Sequence, residues 1–138
     1  MNIQEVSEIL GVSRFLVAPQ HVFITHEKVC EHGDCRACGT CFRGLQPEKR
    51  RDIIFLSAQA DGTTVPHEGW HAMTGLGEIT AYPVGKLVSI KYGLLSQFPN
   101  LKQLLSRRVE YRRVTHSQEF PEAEKYGNRV EHYELVQT

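Results

Sequence analysis

The sequence holds no apolar run of membrane-spanning length, no surplus of either charge, and no cysteine outside one short stretch. Each shortage excludes something. A transmembrane helix needs about 20 predominantly apolar residues, so no membrane partner is expected. Sixteen Lys and Arg residues balance sixteen Asp and Glu residues, which leaves the chain without a general attraction for nucleic acid or anionic lipid. The opening residues MNIQEVSEIL lack the basic flank, apolar stretch and small-residue cleavage site of a secretory signal. The expected location is therefore cytoplasmic or otherwise intracellular. Internal repeats and low-complexity tracts are also missing.

What is there suits a globular domain. A length of 138 residues, 41% of them hydrophobic and 23% charged, fits one domain over 1–138 that buries a core without cross-links. Charge is distributed unevenly: Lys86 to Arg113 holds seven basic residues and one acid, whereas Ser117 to Glu134 holds five acids and two bases. All four cysteines fall between positions 30 and 41, which marks a local site.

Hydrophobic periodicity gives an α+β order. Ile3, Val6, Ile9 and Leu10 keep helical spacing up to Gly11. Phe15 to Thr25 is rich in Phe, Val and Ile but interrupted by Pro19, so an edge strand or two pieces are expected. Ile53, Ile54, Phe55 and Leu56 form an apolar run suited to a strand covered on both faces. After the turn-forming Asp61 to Thr64, Thr64 as cap and Pro66 in the first turn predict a helix that opens there, carries His67 to Met73 and breaks at Thr74 to Gly77. Val84, Leu87, Val88, Leu94 and Leu95 predict a second helix up to Pro99. Leu101, Leu104, Leu105 and Val109 extend the same period into a third. Val130 to Val136 alternates as a weak strand.

The segment His67-Glu68-Gly69-Trp70-His71 is an HExxH motif. Residues four apart share one helical face, so the imidazoles of His67 and His71 can reach one ion, and Glu68 is placed as a general base beside it. Catalytic zinc takes three protein ligands and leaves a fourth place for water. On a straight helix, a residue seven places beyond His71 lies about 10 Å along the axis, so the chain must turn back. Gly75 and Gly77 permit that reversal, which makes Glu78 the expected third ligand. The alternative for Glu78 is a first-turn acid of the next helix, and Glu110 is the fallback ligand. Tyr82, one turn beyond Glu78, either donates a hydrogen bond to a developing oxyanion or packs. Trp70 is expected to face away from the ligands and anchor the helix in the core.

Through His67, Glu68, His71 and the following Gly75-Leu76-Gly77-Glu78, the chain resembles the zincin metallopeptidases, in particular the small glutamate-ligand branch, the minigluzincins. The resemblance implies a small zincin-like domain with a short mixed sheet. Its edge strand, here Ile53 to Ser57, would line a cleft and pair with an extended peptide, with the metal helix below and two further helices following. It also implies a catalytic Zn2+, endopeptidase-type hydrolysis, and a peptide or protein as substrate.

Two features lie outside this motif. Cys30, Cys35, Cys38 and Cys41, with His26 and His32 as possible substitutes, place four soft ligands in a cysteine-rich insertion over 30–42. A second, structural Zn2+ satisfies all four thiolates at once; two disulfides, reduced thiols or an iron–sulfur cluster are the alternatives. Arg107, Arg108, Arg112 and Arg113 would form a positive ridge on the third helix, open to nucleic acid or an acidic peptide, although a solvated face is the favoured reading. Together these features support a rival function, a zinc-stabilised nucleic-acid or protein-binding adaptor. A catalytically inactive zincin-fold binding module is a third reading.

Overall fold

A computed structural model of the chain describes residues 1–28, 45, 51–115 and 119–137. In chain order the described elements are α1 (Ile3–Val12), β1 (His21–Ile24), β2 (Ile53–Leu56), α2 (Thr64–Thr74), α3 (Glu78–Ser96), α4 (Pro99–Leu105), β3 (Glu110–Val114), α5 (Glu122–Tyr126), a 3-10 turn (Gly127–Arg129) and β4 (Glu131–Gln137). The fold is α+β, built on a small mixed sheet in the order β2-β1-β4-β3. Cys30, Cys35, Cys38, Cys41 and His32 lie outside the described residues. No helix among the described residues is long and apolar enough to cross a membrane.

Strand β1 pairs parallel with β2, His21 opposite Ile53, and antiparallel with β4, His21 opposite Glu134. It is therefore an interior strand and not the edge that Pro19 suggested. Pro19 precedes the strand, so it removes no hydrogen bond from the ladder. Among the described residues the edge positions belong to β3 and to β2, whose apolar run is buried at three of its four residues.

Alternation along the strands divides the core. Val22, Ile24, Ile54, Leu56 and Tyr133 face the helices and join Val6, Ile9, Leu10, Val65 and Val88 in one cluster. His21, Phe23 and Ile53 face the other way, where Phe23 and Ile53 meet Leu45, Phe120 and Val130. Complete burial of a side chain such as Phe23 contributes about 2–3 kcal/mol, so each face of the sheet has its own anchor.

Three expectations are corrected by the helices. Gly11 does not stop α1, which continues to Val12 and is capped at Ser13. Instead Gly11 admits a second chain segment: an added Cβ would lie 2.9 Å from Arg107 O, and Arg107 N donates to Gly11 O at 3.0 Å. The third helix ends at Leu105, so the arginines form no helical ridge. Arg107 turns inward and donates to the carbonyl oxygens of Leu10 at 3.2 Å, Ser13 at 3.3 Å and Leu16, closing the orphaned end of α1. Burial lowers the pKa of this guanidinium. Arg112 and Arg113 fall on β3 as neighbours, hence on opposite faces, and approach Glu134 at 3.7 Å and Glu131 at 3.8 Å. Arg108 pairs with Glu110 at 3.3 Å. The arginine ridge of the adaptor reading is absent from the described residues, and its other half, the cysteine cluster, lies outside them.

Candidate metal centre

Helix α2 begins at Thr64, the residue expected to cap it, so the cap moves one position back. Its N-cap is Thr63, which makes no capping side-chain bond of its own. Asp61 organises the entry instead: its Oδ1 accepts from Thr63 N at 2.8 Å, Thr63 Oγ1 at 2.6 Å and Thr64 Oγ1 at 3.3 Å. These bonds, that from the Thr63 hydroxyl foremost, lower the Asp61 pKa below the ordinary aspartate value. Pro66 is the third helical residue, where a missing N–H costs nothing. The helix lies on β2 and crosses α1 and α3.

The reversal after α2 uses one glycine, not two. Gly75 adopts φ 70, a left-handed cap whose N–H donates to His71 O at 2.8 Å. Gly77 sits at φ −81, ψ −172, an extended conformation open to any residue. Thr74 Oγ1 donates to Trp70 O at 2.7 Å and accepts from Leu76 N at 3.1 Å, which fixes the turn from within.

This turn brings the three expected ligands together. His67 Nε2 lies 3.1 Å from His71 Nε2, Glu78 Oε2 lies 3.0 Å from His67 Nε2, and Glu78 Oε1 lies 2.7 Å from His71 Nε2. A tetrahedral zinc ion with ligands at about 2.0–2.1 Å separates its ligand atoms by about 3.3 Å. The observed spacing is thus near that of a loaded site. Glu78 is also the first residue of α3, where the helix dipole favours a carboxylate, as the alternative expectation for this residue had it.

The tautomer of His71 sharpens the fit. Its Nδ1–H donates to Leu76 O at 2.7 Å, because a carbonyl can only accept. In the neutral ring Nε2 then carries a lone pair, and it faces a carboxylate oxygen. Either a proton or a metal ion makes that contact attractive, and a backbone partner on the far ring nitrogen is the usual support of a metal-binding histidine. Side-chain exposure rises from 15% at His67 through 25% at His71 to 58% at Glu78, so the centre opens to solvent on the Glu78 side.

Around the triad, Glu68 is half-buried on α2. Tyr82, 61% exposed, sets its ring edge against His67 with centroids 4.8 Å apart. Glu110 opens β3 at the far edge of the sheet and takes no part. Trp70 corrects the core-anchor expectation. It is only half-buried, touches Phe15 edge-on at 6.4 Å, and donates from Nε1 to Thr80 Oγ1 at 2.9 Å. Since Thr80 Oγ1 itself donates to Gly77 O at 3.0 Å, Trp70 ties α2 to the first turn of α3 and so positions Glu78. Sequence reasoning missed Thr80; the available signal was an indole N–H inside the motif that needs an acceptor.

Gly85 completes the support. A Cβ there would meet Thr63 O at 2.9 Å and His67 Cβ at 3.4 Å, so α3 approaches the His67 end of α2 as closely as a glycine allows. His26, considered for the cysteine cluster, contacts Glu131 Oε2 at 3.2 Å on β4. The comparisons identify no relative: no family model, curated protein or solved structure matches this chain.

Proposed function

We propose that the chain is a zinc-dependent peptide-bond hydrolase of zincin type, with His67, His71 and Glu78 as metal ligands and Glu68 as general base. The observation that carries this reading is that the two Nε2 atoms lie 3.1 Å apart and the two oxygens of the Glu78 carboxylate lie 3.0 Å from His67 Nε2 and 2.7 Å from His71 Nε2. A zinc ion held there supplies Lewis acidity, raising the acidity of water and polarising a carbonyl oxygen. Glu68, adjacent to His67, takes the proton from the attacking water and passes it to the leaving amine. Tyr82, at the exposed side of His67, donates to the oxygen on which negative charge grows. His71 is held by Leu76 O and Glu78 by the Trp70–Thr80 link, so both ligands keep their orientation. The edge strand β2, packed on α2, is the element that would pair with an extended substrate.

The test is hydrolysis of a casein-like substrate by zinc-loaded protein. Glu68→Gln keeps its zinc and loses turnover by about 10²–10⁴-fold, the range of a positioned general base. Undiminished cleavage by that variant removes Glu68 from the mechanism. A zinc-loaded wild type that cleaves no peptide removes the function itself.

A further inference from the structure

A second cluster lies on the opposite face of the sheet. Successive strand residues alternate in direction, and His21 on β1 stands directly across from Glu134 on β4, with Phe23 across from His132. The side chains of His21, His132 and Glu134 therefore share the face turned away from α2. A ring nitrogen of each histidine and a carboxylate oxygen of Glu134 lie within 4.8 Å of one another. His21 Nδ1 and His132 Nε2 are 3.0 Å apart.

Two histidines in a sheet are unremarkable when each has a simple partner, but this pair is more constrained. His21 and His132 are 6% and 4% exposed. His21 Nε2 lies 3.0 Å from Glu119 Oε2; in the neutral ring it donates there, so the lone pair falls on Nδ1, the nitrogen aimed at His132. A carboxylate that accepts from one nitrogen of a histidine, and so orients the ring whose other nitrogen faces a ligand set, is the support found around bound metals. Of the three, His132 also lines a cavity of about 460 Å³, with Arg113, Glu124 and Asn128 among its walls. Arg112 approaches Glu134 Oε2 only at 3.7 Å and is 72% exposed, so it is a weak competitor for the carboxylate.

We propose that His21 Nδ1, His132 Nε2 and Glu134 form a second divalent-metal site, selective for borderline ions such as Zn2+, with Glu119 orienting His21. Two imidazoles and one carboxylate suit that class of ion. The site clamps β1 to β4 and holds the segment at Glu119 to the sheet. It uses none of the residues of the first centre and stands whether or not the protein hydrolyses peptides.

The experiment begins from the full chain carrying His67→Ala and His71→Ala, which empties the first centre and leaves any metal at the cysteines common to both arms. Zinc content after dialysis is compared with that of the same protein carrying His132→Gln in addition. One equivalent fewer in the second protein is expected. In parallel, zinc is titrated into the first protein while its imidazole 15N resonances are followed. The Nδ1 signal of His21 and the Nε2 signal of His132 are expected to move together and saturate. Equal zinc contents, or imidazole nitrogens that keep their zinc-free shifts at saturation, would leave a neutral His–His hydrogen bond and overturn the site. Should circular dichroism show that His132→Gln does not fold, the imidazole spectrum decides alone.

Discussion

Replacing Gly85 with alanine tests whether the contact between α2 and α3 sets the metal centre. The added Cβ would lie 2.9 Å from Thr63 O, which is 0.5 Å inside the shortest ordinary contact of 3.4 Å. That oxygen cannot swing aside, since it accepts the His67 N–H at 3.1 Å within the first turn of α2. The helices must therefore separate, and the movement is delivered at His67. Overpacking of this kind costs about 1–3 kcal/mol, while alanine in place of a helical glycine returns about 1 kcal/mol, so the net expectation is a loss of up to about 2 kcal/mol. Gly93 is the control. It lies on the same helix with nothing within 4 Å of an added Cβ, and Gly93→Ala should stabilise by up to about 1 kcal/mol. Denaturant unfolding of the metal-free proteins gives both values. Competition with a chromophoric chelator gives zinc affinity, which should fall by about tenfold or more in Gly85→Ala alone, the scale on which displaced supports of a metal site act. Equal stabilisation by the two alanines, with equal zinc affinity, would refute the close approach and the role assigned to it.

The turn and the helix entry make two further tests. Gly75→Ala places a side chain at φ 70, which costs about 1–2 kcal/mol. Gly77→Ala, extended and unobstructed, should be neutral or slightly stabilising; chemical denaturation separates them, and equal losses would mean that both glycines work in the reversal. For Asp61, the folded-state pKa lies below the ordinary aspartate value of 3.8, so its stabilisation is complete above that value and disappears as pH falls through the folded pKa. Asp61→Asn should therefore flatten the acid limb of a stability–pH curve, and an unchanged acid limb would show that the carboxylate is not what fixes the start of α2.

The meeting of His67, His71 and Glu78 was largely legible because its determinants are local. Helical spacing aligns His67 with His71, the left-handed position at Gly75 reverses the chain, and Glu78 follows at the distance the turn requires. What could not be read were bonds whose partners are set by packing. Arg107 looked like part of a surface repeat, yet its carbonyl partners sit on and just beyond α1, more than 90 residues earlier. The His21 cluster was missed for the same reason, with 111 positions between its histidines. A faint signal existed: alternation over Val130 to Val136 puts His132 and Glu134 on one face. Only the pairing of β4 with β1 brings His21 to them. Pro19 misled in the opposite sense, because a proline just before a strand leaves its ladder intact and says nothing about edge position.

The span of the first triad also bears on the order of assembly. His67 and Glu78 are eleven positions apart, whereas the β1–β4 ladder joins residues more than a hundred apart. Closing a short loop has a small entropic cost and closing a long one is slow. The helix–turn–helix unit that carries the triad can thus be complete while β1 and β4 are still finding each other, and it can stay closed when the ladder opens.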